Sequence, residues 1–392
     1  MTDKRVIAVI GANFGDEGKG LAVDSFCAGS AQALVVRHNG GAQAGHTVET
    51  EDKRFVFHQL SSGSFRGADT LLAKTFLPDL YKLEEEILAF RDVSGFSPRV
   101  YADHRARVTV IDDILLNMAL ETSRGRNRHG SCGMGINEAV LRNEAGFWLT
   151  VGKVAGMSAG ELASELFRIR REYVIPRLSS LGINDGGEFS DLLSSENVIV
   201  NASEGMMTGI GYLTPVNGLS EMTDGREKIV FEGAQGLLLD SENKRFAPHL
   251  TSSRTGIKNP LELCRDAGIS LNMAVYVMRS YVTRHGAGEL PGECEASGLG
   301  DIGPDRTNIT NRWQGSFRYG RYPSPEELAA AVLEDCDGFD GDVCLFVTHL
   351  NETSGMIRFC TGDIPAAELP KHPAFAGRIG KFCCSYSRFG LS

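Results

Sequence analysis

The chain of 392 residues has no excess of positive charge; 50 acidic against 40 basic side chains leave it at −10. That excludes a protein that coats nucleic acid through its overall field, while a local basic pocket for one phosphate stays allowed. It has no CxxC pair, and its nine cysteines, Cys27, Cys132, Cys264, Cys294, Cys336, Cys344, Cys360, Cys383 and Cys384, are odd in number. Neither a disulfide framework nor a structural zinc site fits that spacing, so free thiols in a reducing compartment are expected. No segment approaches the ~18 uninterrupted apolar residues of a membrane span. The first apolar run is too short for a signal peptide, and a cytoplasmic location without membrane contact follows as an expectation. Internal repeats and low-complexity linkers are also lacking.

What is present is an ordinary globular composition, 42% hydrophobic and 23% charged, in a chain long enough to bury a large core without staples. Val6–Ile10 is a continuous apolar run entering a Gly-rich turn, which predicts a buried parallel strand. Leu21–Cys27 is the helix expected after it, and Leu34–Arg37 a second strand. A strand, a Lys-bearing turn and a helix at the start predict an α/β fold. Further strands are expected at Ile229–Phe231, Met273–Met278 and Val343–Val347. Helices are expected over Ile111–Thr122, Gly160–Leu178 and Leu261–Asp266, the last with Asn259 and Pro260 as cap and first-turn residues. Another opens at Ser324-Pro325-Glu326-Glu327 with a capping signature. The whole reads as one elaborated α/β domain over 1–392, a large mostly parallel sheet with a helical subdomain near 100–200. Glycine totals 46, well above the ~7% of ordinary proteins. The glycines gather at 15–20, 40–45, 130–135, 233–236 and 286–292, the pattern of a large ligand site built from loops.

The first site candidate is Gly11-Ala12-Asn13-Phe14-Gly15-Asp16-Glu17-Gly18-Lys19-Gly20. It nearly fits GxxxxGK[ST]: Gly11 is too far upstream, but Gly15, Gly18 and Lys19 are in place, and Gly20 stands where Ser or Thr would hold magnesium. Backbone N–H groups and the helix start can bind phosphate, with Lys19 adding charge. Two acids inside an anion-binding loop would repel phosphate unless one binds magnesium or acts as a base. The second candidate is Asn39-Gly40-Gly41-Ala42-Gln43-Ala44-Gly45-His46-Thr47, where a histidine after a Gly-rich turn is available as a general acid.

Together GDEGKG, GGAQAGHT, FEGAQG with LLLD, TSS and YVTRHGAG resemble the adenylosuccinate synthetase family, in family order over most of the chain. That family joins aspartate to the 6-oxo position of a purine nucleotide with a nucleoside triphosphate and magnesium. The resemblance implies Asp16 as general base and magnesium ligand, with the carbonyl of Gly45 as a second ligand. It implies His46 as general acid, and Lys19 with Gly15, Glu17, Gly18 and Gly20 as the triphosphate site. Gln235 matches the glutamine on the purine base, and Thr251, Ser131 and Cys132 match contacts to the nucleotide phosphate. Asn39 belongs to the same substrate set. Arg142 matches an arginine sent across a dimer interface, which implies a homodimer with shared sites.

Three departures bear on the substrate. The family's TKLD reads here Thr348-His349-Leu350-Asn351, so an amide replaces the carboxylate that accepts from guanine. A neutral amide can pair with adenine, so ATP (or dATP) is the expected donor. The Arg-rich aspartate loop is reduced to Thr307–Gly315, leaving Arg312 as the expected guanidinium for L-aspartate, with Asn308 and Thr310 beside it. Gly133-Met134-Gly135-Ile136 replaces GRGI, and the chain is short for a bacterial member. These features resemble the phage branch that condenses dGMP with aspartate to 2-amino-2′-deoxyadenylosuccinate for 2-aminoadenine DNA precursors. The alternative is the ordinary reaction on IMP with GTP.

Overall fold

Val6–Ile10 carries no polar side chain, so both its faces can be buried, and in the computed structural model it lies inside a nine-stranded sheet. The structure describes residues 4–125, 131, 133–303, 313, 315–375 and 377–385. The strands are β1 (Arg5–Gly11), β2 (Ala33–Arg37), β3 (Asp69–Leu72), β4 (Val100–Asp103), β5 (Thr214–Val216), β6 (Lys228–Gly236), β7 (Met273–Arg279), β8 (Asp342–Thr348) and β9 (Lys381–Cys384). Their order is β9-β8-β7-β1-β6-β2-β3-β4-β5, and every pairing is parallel. A parallel sheet needs cover on both faces. β1 alternates accordingly: Val6, Ala8 and Ile10 enter one apolar cluster, Ile7 and Val9 the other.

The cover comes from helices in the crossovers. α1 (Lys19–Cys27) follows β1, and α2 (Leu80–Ser94) joins β3 to β4. Between β4 and β5 lie α3 (Ile111–Arg124), α4 (Ile136–Glu144), α5 (Ala159–Ile169) and α6 (Glu196–Ile210). Leu116, Leu162, Leu166, Ile199 and Met206 form a third core there. The helix expected over Gly160–Leu178 is instead α5, a π turn at Arg170–Val174 and a short helix Ile175–Ser180. Pro176 has no N–H to continue the regular ladder, so the wide turn precedes it. α7 (Lys258–Asp266) begins before the expected cap, because the Asn259 amide donates instead to the carbonyl of His38 at 3.0 Å. α8 (Pro325–Asp335) starts as expected, with Ser324 accepting from the Glu327 N–H.

The eight described cysteines form no disulfide. Among the described residues no helix is long and apolar enough to cross a membrane. The loops that leave β1, β6, β7 and β8 all start from the carboxyl edge of the sheet, where open α/β sheets bind ligands.

Candidate active site

The loop after β1 puts its two acids on opposite sides. Glu17 turns inward and is 3% exposed. Its carboxylate accepts from the N–H groups of Asn13 at 3.0 Å and Gly15 at 2.7 Å and pairs with Lys19 at 3.0 Å. Lys19 also donates to the Gly15 carbonyl at 2.6 Å. Glu17 therefore neutralises Lys19 and shapes the loop from within, so its side chain, unlike its main chain, has no place in the expected triphosphate site. Asp16 faces a cavity of about 650 Å³. Gly18 opens α1 in the left-handed region at φ 89°, where glycine is favoured. A Cβ on Gly20 would meet the Thr47 carbonyl at 3.0 Å and the Ser62 hydroxyl at 3.2 Å, so glycine there lets α1 pack against the His46 strand.

His46 begins a short hairpin, His46–Glu49 with Arg54–Phe57, and lines the same cavity. Its Nδ1 lies 2.5 Å from Glu232, a fully buried carboxylate in β6. Glu232 also accepts from the N–H of Ser62 at 3.0 Å and from the Ser62 hydroxyl. Arg37 stands beside it in β2, opposite Glu232 in the strand register. Burial holds His46 down to about 4 against the pull of Glu232. For Glu232 burial acts upward, but Arg37, His46 and Ser62 outweigh it and hold the carboxyl down at about 2. The pair is thus a neutral imidazole donating Nδ1–H to a carboxylate, which leaves Nε2 as the other ring nitrogen. An incoming anionic phosphoryl group favours protonation of Nε2, the state a general acid requires. Glu232 lies inside FEGAQG without a role in the resemblance; its sequence signal is a charge set within the otherwise apolar run of the strand Lys228–Gly236.

Gln235 sits at the end of β6 with φ 62°. Its side-chain oxygen is buried with no hydrogen-bond partner among the described residues, and the residue lines the cavity. An orphaned acceptor facing a cavity suits the N–H of a purine lactam edge. Asn39 was expected to touch substrate. Instead its amide holds both the N–H and the carbonyl of Ala234, at 2.7 and 3.0 Å, and so fixes the turn that presents Gln235. Thr251 and Ser131 line the same cavity, as do Asn117, Glu121 and Arg124. Ser131 donates to Asn117 at 3.1 Å. His285, within YVTRHGAG, lies 3.8 Å from the Asp16 carboxylate and packs its ring at a tilt against Phe317.

Arg142 is the clearest departure. It is fully buried, with Asp113 at 2.8 Å and the carbonyls of Val108 and Phe147 as further partners. It joins α4 to the start of α3 and cannot reach a neighbour's nucleotide from there. Cys132, Asn308, Thr310 and Arg312 lie outside the described residues. Thr348, expected at the triphosphate site, donates to the Glu17 carbonyl at 2.7 Å, and its methyl would be 3.2 Å from a Cβ on Gly18. Asn351 is exposed just beyond, after His349 at φ 60°. β8 thus delivers the Thr348–Asn351 segment to the loop's flank.

Hard oxygen donors fit magnesium: one carboxylate on Asp16 and the exposed main chain of Gly45, with phosphate and water to complete the shell. A phosphate loop on a parallel sheet, a carboxylate and an imidazole facing one cavity, and an orphaned amide define a class: enzymes that transfer a phosphoryl group at a nucleotide site.

The sequence profile of adenylosuccinate synthetase matches residues 8–314, and the chain belongs to that family, whose members are C–N ligases. It is 30% identical to the adenylosuccinate synthetase of Thermoplasma acidophilum over 340 residues, 85% of this chain and 74% of the relative. It is 27% identical to that of Oleidesulfovibrio alaskensis over 94% of this chain and 83% of the relative. The fully ligated adenylosuccinate synthetase of Plasmodium falciparum shares the fold, with a TM-score of 0.68 at 20% identity over 91% of this chain and 80% of that one. So does the succinoaminodeoxyadenylate synthetase of cyanophage S-2L, solved with dGMP and dATP as energy donor. Its TM-score is 0.62 at 16% identity, over 98% of this chain and 93% of that one.

Proposed function

We propose that the protein joins L-aspartate to C6 of a 6-oxopurine 5′-monophosphate at the expense of a nucleoside triphosphate. The observation that carries this is the convergence of Asp16, His46 and Gln235 on one cavity. An amine cannot displace a purine 6-oxygen directly, so O6 must first become phosphate. Asp16 takes the N1 proton as O6 attacks the γ-phosphorus and the nucleoside diphosphate leaves. His46, held by Glu232, donates from Nε2 to the transferring group. The α-amine of aspartate then adds at C6, loses a proton, and phosphate departs with O6. Gln235 orients the base, and Thr251 and Ser131 serve the 5′-phosphate. Magnesium, held by Asp16 and the Gly45 carbonyl, would neutralise charge on the phosphates. Arg312, with Asn308 and Thr310, is assigned to aspartate. A homodimer rests on family membership alone, since Arg142 gives it no support.

The relatives' names support IMP as the monophosphate, the ordinary reaction of the family. A second reading, dGMP with ATP or dATP, has its own support. Asn351 offers an amide where the family offers a carboxylate. In structural superposition the chain also spans 93% of the dGMP-bound cyanophage enzyme, against 80% of the Plasmodium falciparum synthetase. Aspartate-dependent phosphate release, measured with IMP or dGMP against GTP or ATP, tests both. Turnover with IMP supports the first reading; turnover confined to dGMP and ATP supports the second. No aspartate-dependent release with any pair overturns the proposal.

A further inference from the structure

Asp16 presents two groups in opposite directions. Its carboxylate faces the cavity, while its main-chain carbonyl accepts from the Nε of Arg279, the last residue of β7. Arg279 is 7% exposed. Its Nη1 donates to the Tyr281 hydroxyl at 3.0 Å, and that hydroxyl donates to the carboxylate of Glu352. Glu352 is the neighbour of Asn351. The ends of β7 and β8 are also tied directly: Ser280 donates through its N–H to the Thr348 carbonyl at 3.0 Å and through its hydroxyl to the His349 carbonyl at 2.9 Å.

We propose that Arg279 is a positioning residue for Asp16, and that Tyr281 and Glu352 couple that position to the segment carrying Asn351. A buried guanidinium needs acceptors in fixed directions. One is the loop carbonyl that sets where the Asp16 side chain points. Another is a phenol whose own orientation is set by Glu352. Moving Glu352 turns the phenol, the phenol releases Nη1, and the guanidinium shifts the carbonyl of Asp16. An occupant of the Asn351 segment therefore bears on the base as well as on its own binding. The proposal rests on the assignment of Asp16 as base.

The test is kinetic, with the monophosphate and triphosphate pair that turns over, and rates per site counted by monophosphate binding. Tyr281→Phe keeps the ring and removes the relay oxygen. Glu352→Ala removes the acceptor, and Glu352→Gln keeps one. Tyr281→Phe and Glu352→Ala should each lower kcat by about tenfold or more, as expected for a misplaced base, with the monophosphate KM within about twofold. Glu352→Gln should recover most of the loss. The double variant should lose no more than either single, because both break one chain. Oxygen isotope scrambling in the triphosphate without aspartate should fall in parallel, because the defect lies in the phosphoryl step. A kcat within about twofold of the parent in Tyr281→Phe, or losses that multiply in the double variant, overturns the relay. Asp16→Asn run alongside separates the two assignments. If it turns over normally, the base assignment fails; if it is dead while Tyr281→Phe is normal, only the relay fails.

Discussion

Glu232 and Asn39 do at the residue scale what a motif comparison does not reveal. Each is fully buried and each positions a neighbour: Glu232 the imidazole of His46, Asn39 the turn of Gln235. Glu232→Gln keeps the shape and an acceptor for Nδ1–H but removes the charge that favours the protonated ring. kcat should fall by about 10–100-fold, the usual scale for loss of a group behind a working ligand, with the monophosphate KM little changed; steady-state kinetics read this, and an unchanged kcat refutes the role. Asn351→Asp should move donor preference from ATP toward GTP, measured as the ratio of kcat/KM values. A ratio that stays put removes Asn351 from donor reading. Glu17 shows how far pattern can mislead. It belongs to the motif, yet its carboxylate is tied to the loop's own amides and to Lys19.

At the scale of elements, periodicity located β1, α1, β2, α3 and β7 to within a residue or two. These segments are uniformly apolar or strongly amphipathic, so local pattern and burial agree. The early start of α7 and the break after α5 were not legible, because one depends on a distant carbonyl at His38 and the other on how a proline is absorbed. Helix pairing was equally hidden. α2 and α6 approach so closely that a Cβ on Gly209 would lie 1.8 Å from the Leu80 carbonyl. Gly209→Ala should therefore separate the helices despite the better helix propensity of alanine. A loss of ~1–3 kcal/mol is the normal cost of such overpacking. A fall in the midpoint of urea unfolding checks it, and a rise would show that propensity outweighs the clash.

For the molecule as a whole, burial of His38, just after β2, and of His46, against Glu232 of β6, gives stability a pH dependence. His38 is fully buried, both ring nitrogens lack partners among the described residues, and burial holds it down to about 3. The unfolded chain takes up a proton near the ordinary 6.5 while the folded chain does not. The stability present above pH 6.5 is therefore lost as pH falls toward 3. His46 acts in the same direction, with its lower limit near about 4. His38→Phe removes one of the two uptakes. Its melting temperature should decline less steeply than the parent's between pH 6.5 and 4; parallel slopes would mean that His38 is not a source of acid lability.

The α/β class, the first strand–loop–helix unit, the family and the motifs that carry Asp16, His46 and Gln235 are legible without any tertiary structure. Apolar runs and glycine turns report local constraints, and those survive in any tertiary setting. Which motif residues line the cavity and which are tied into the scaffold is visible only in the folded chain. Asp16 and Glu17 are adjacent and chemically alike, and Arg142 and Arg279 are equally charged. Their roles separate only in the folded chain: Glu17 meets Lys19 and the loop amides, Arg142 meets Asp113 across two helices, and Arg279 meets the carbonyl of Asp16. A buried charge must be satisfied where it lies, and that place is set by the packing of β1, β6, β7 and β8, which no local pattern encodes.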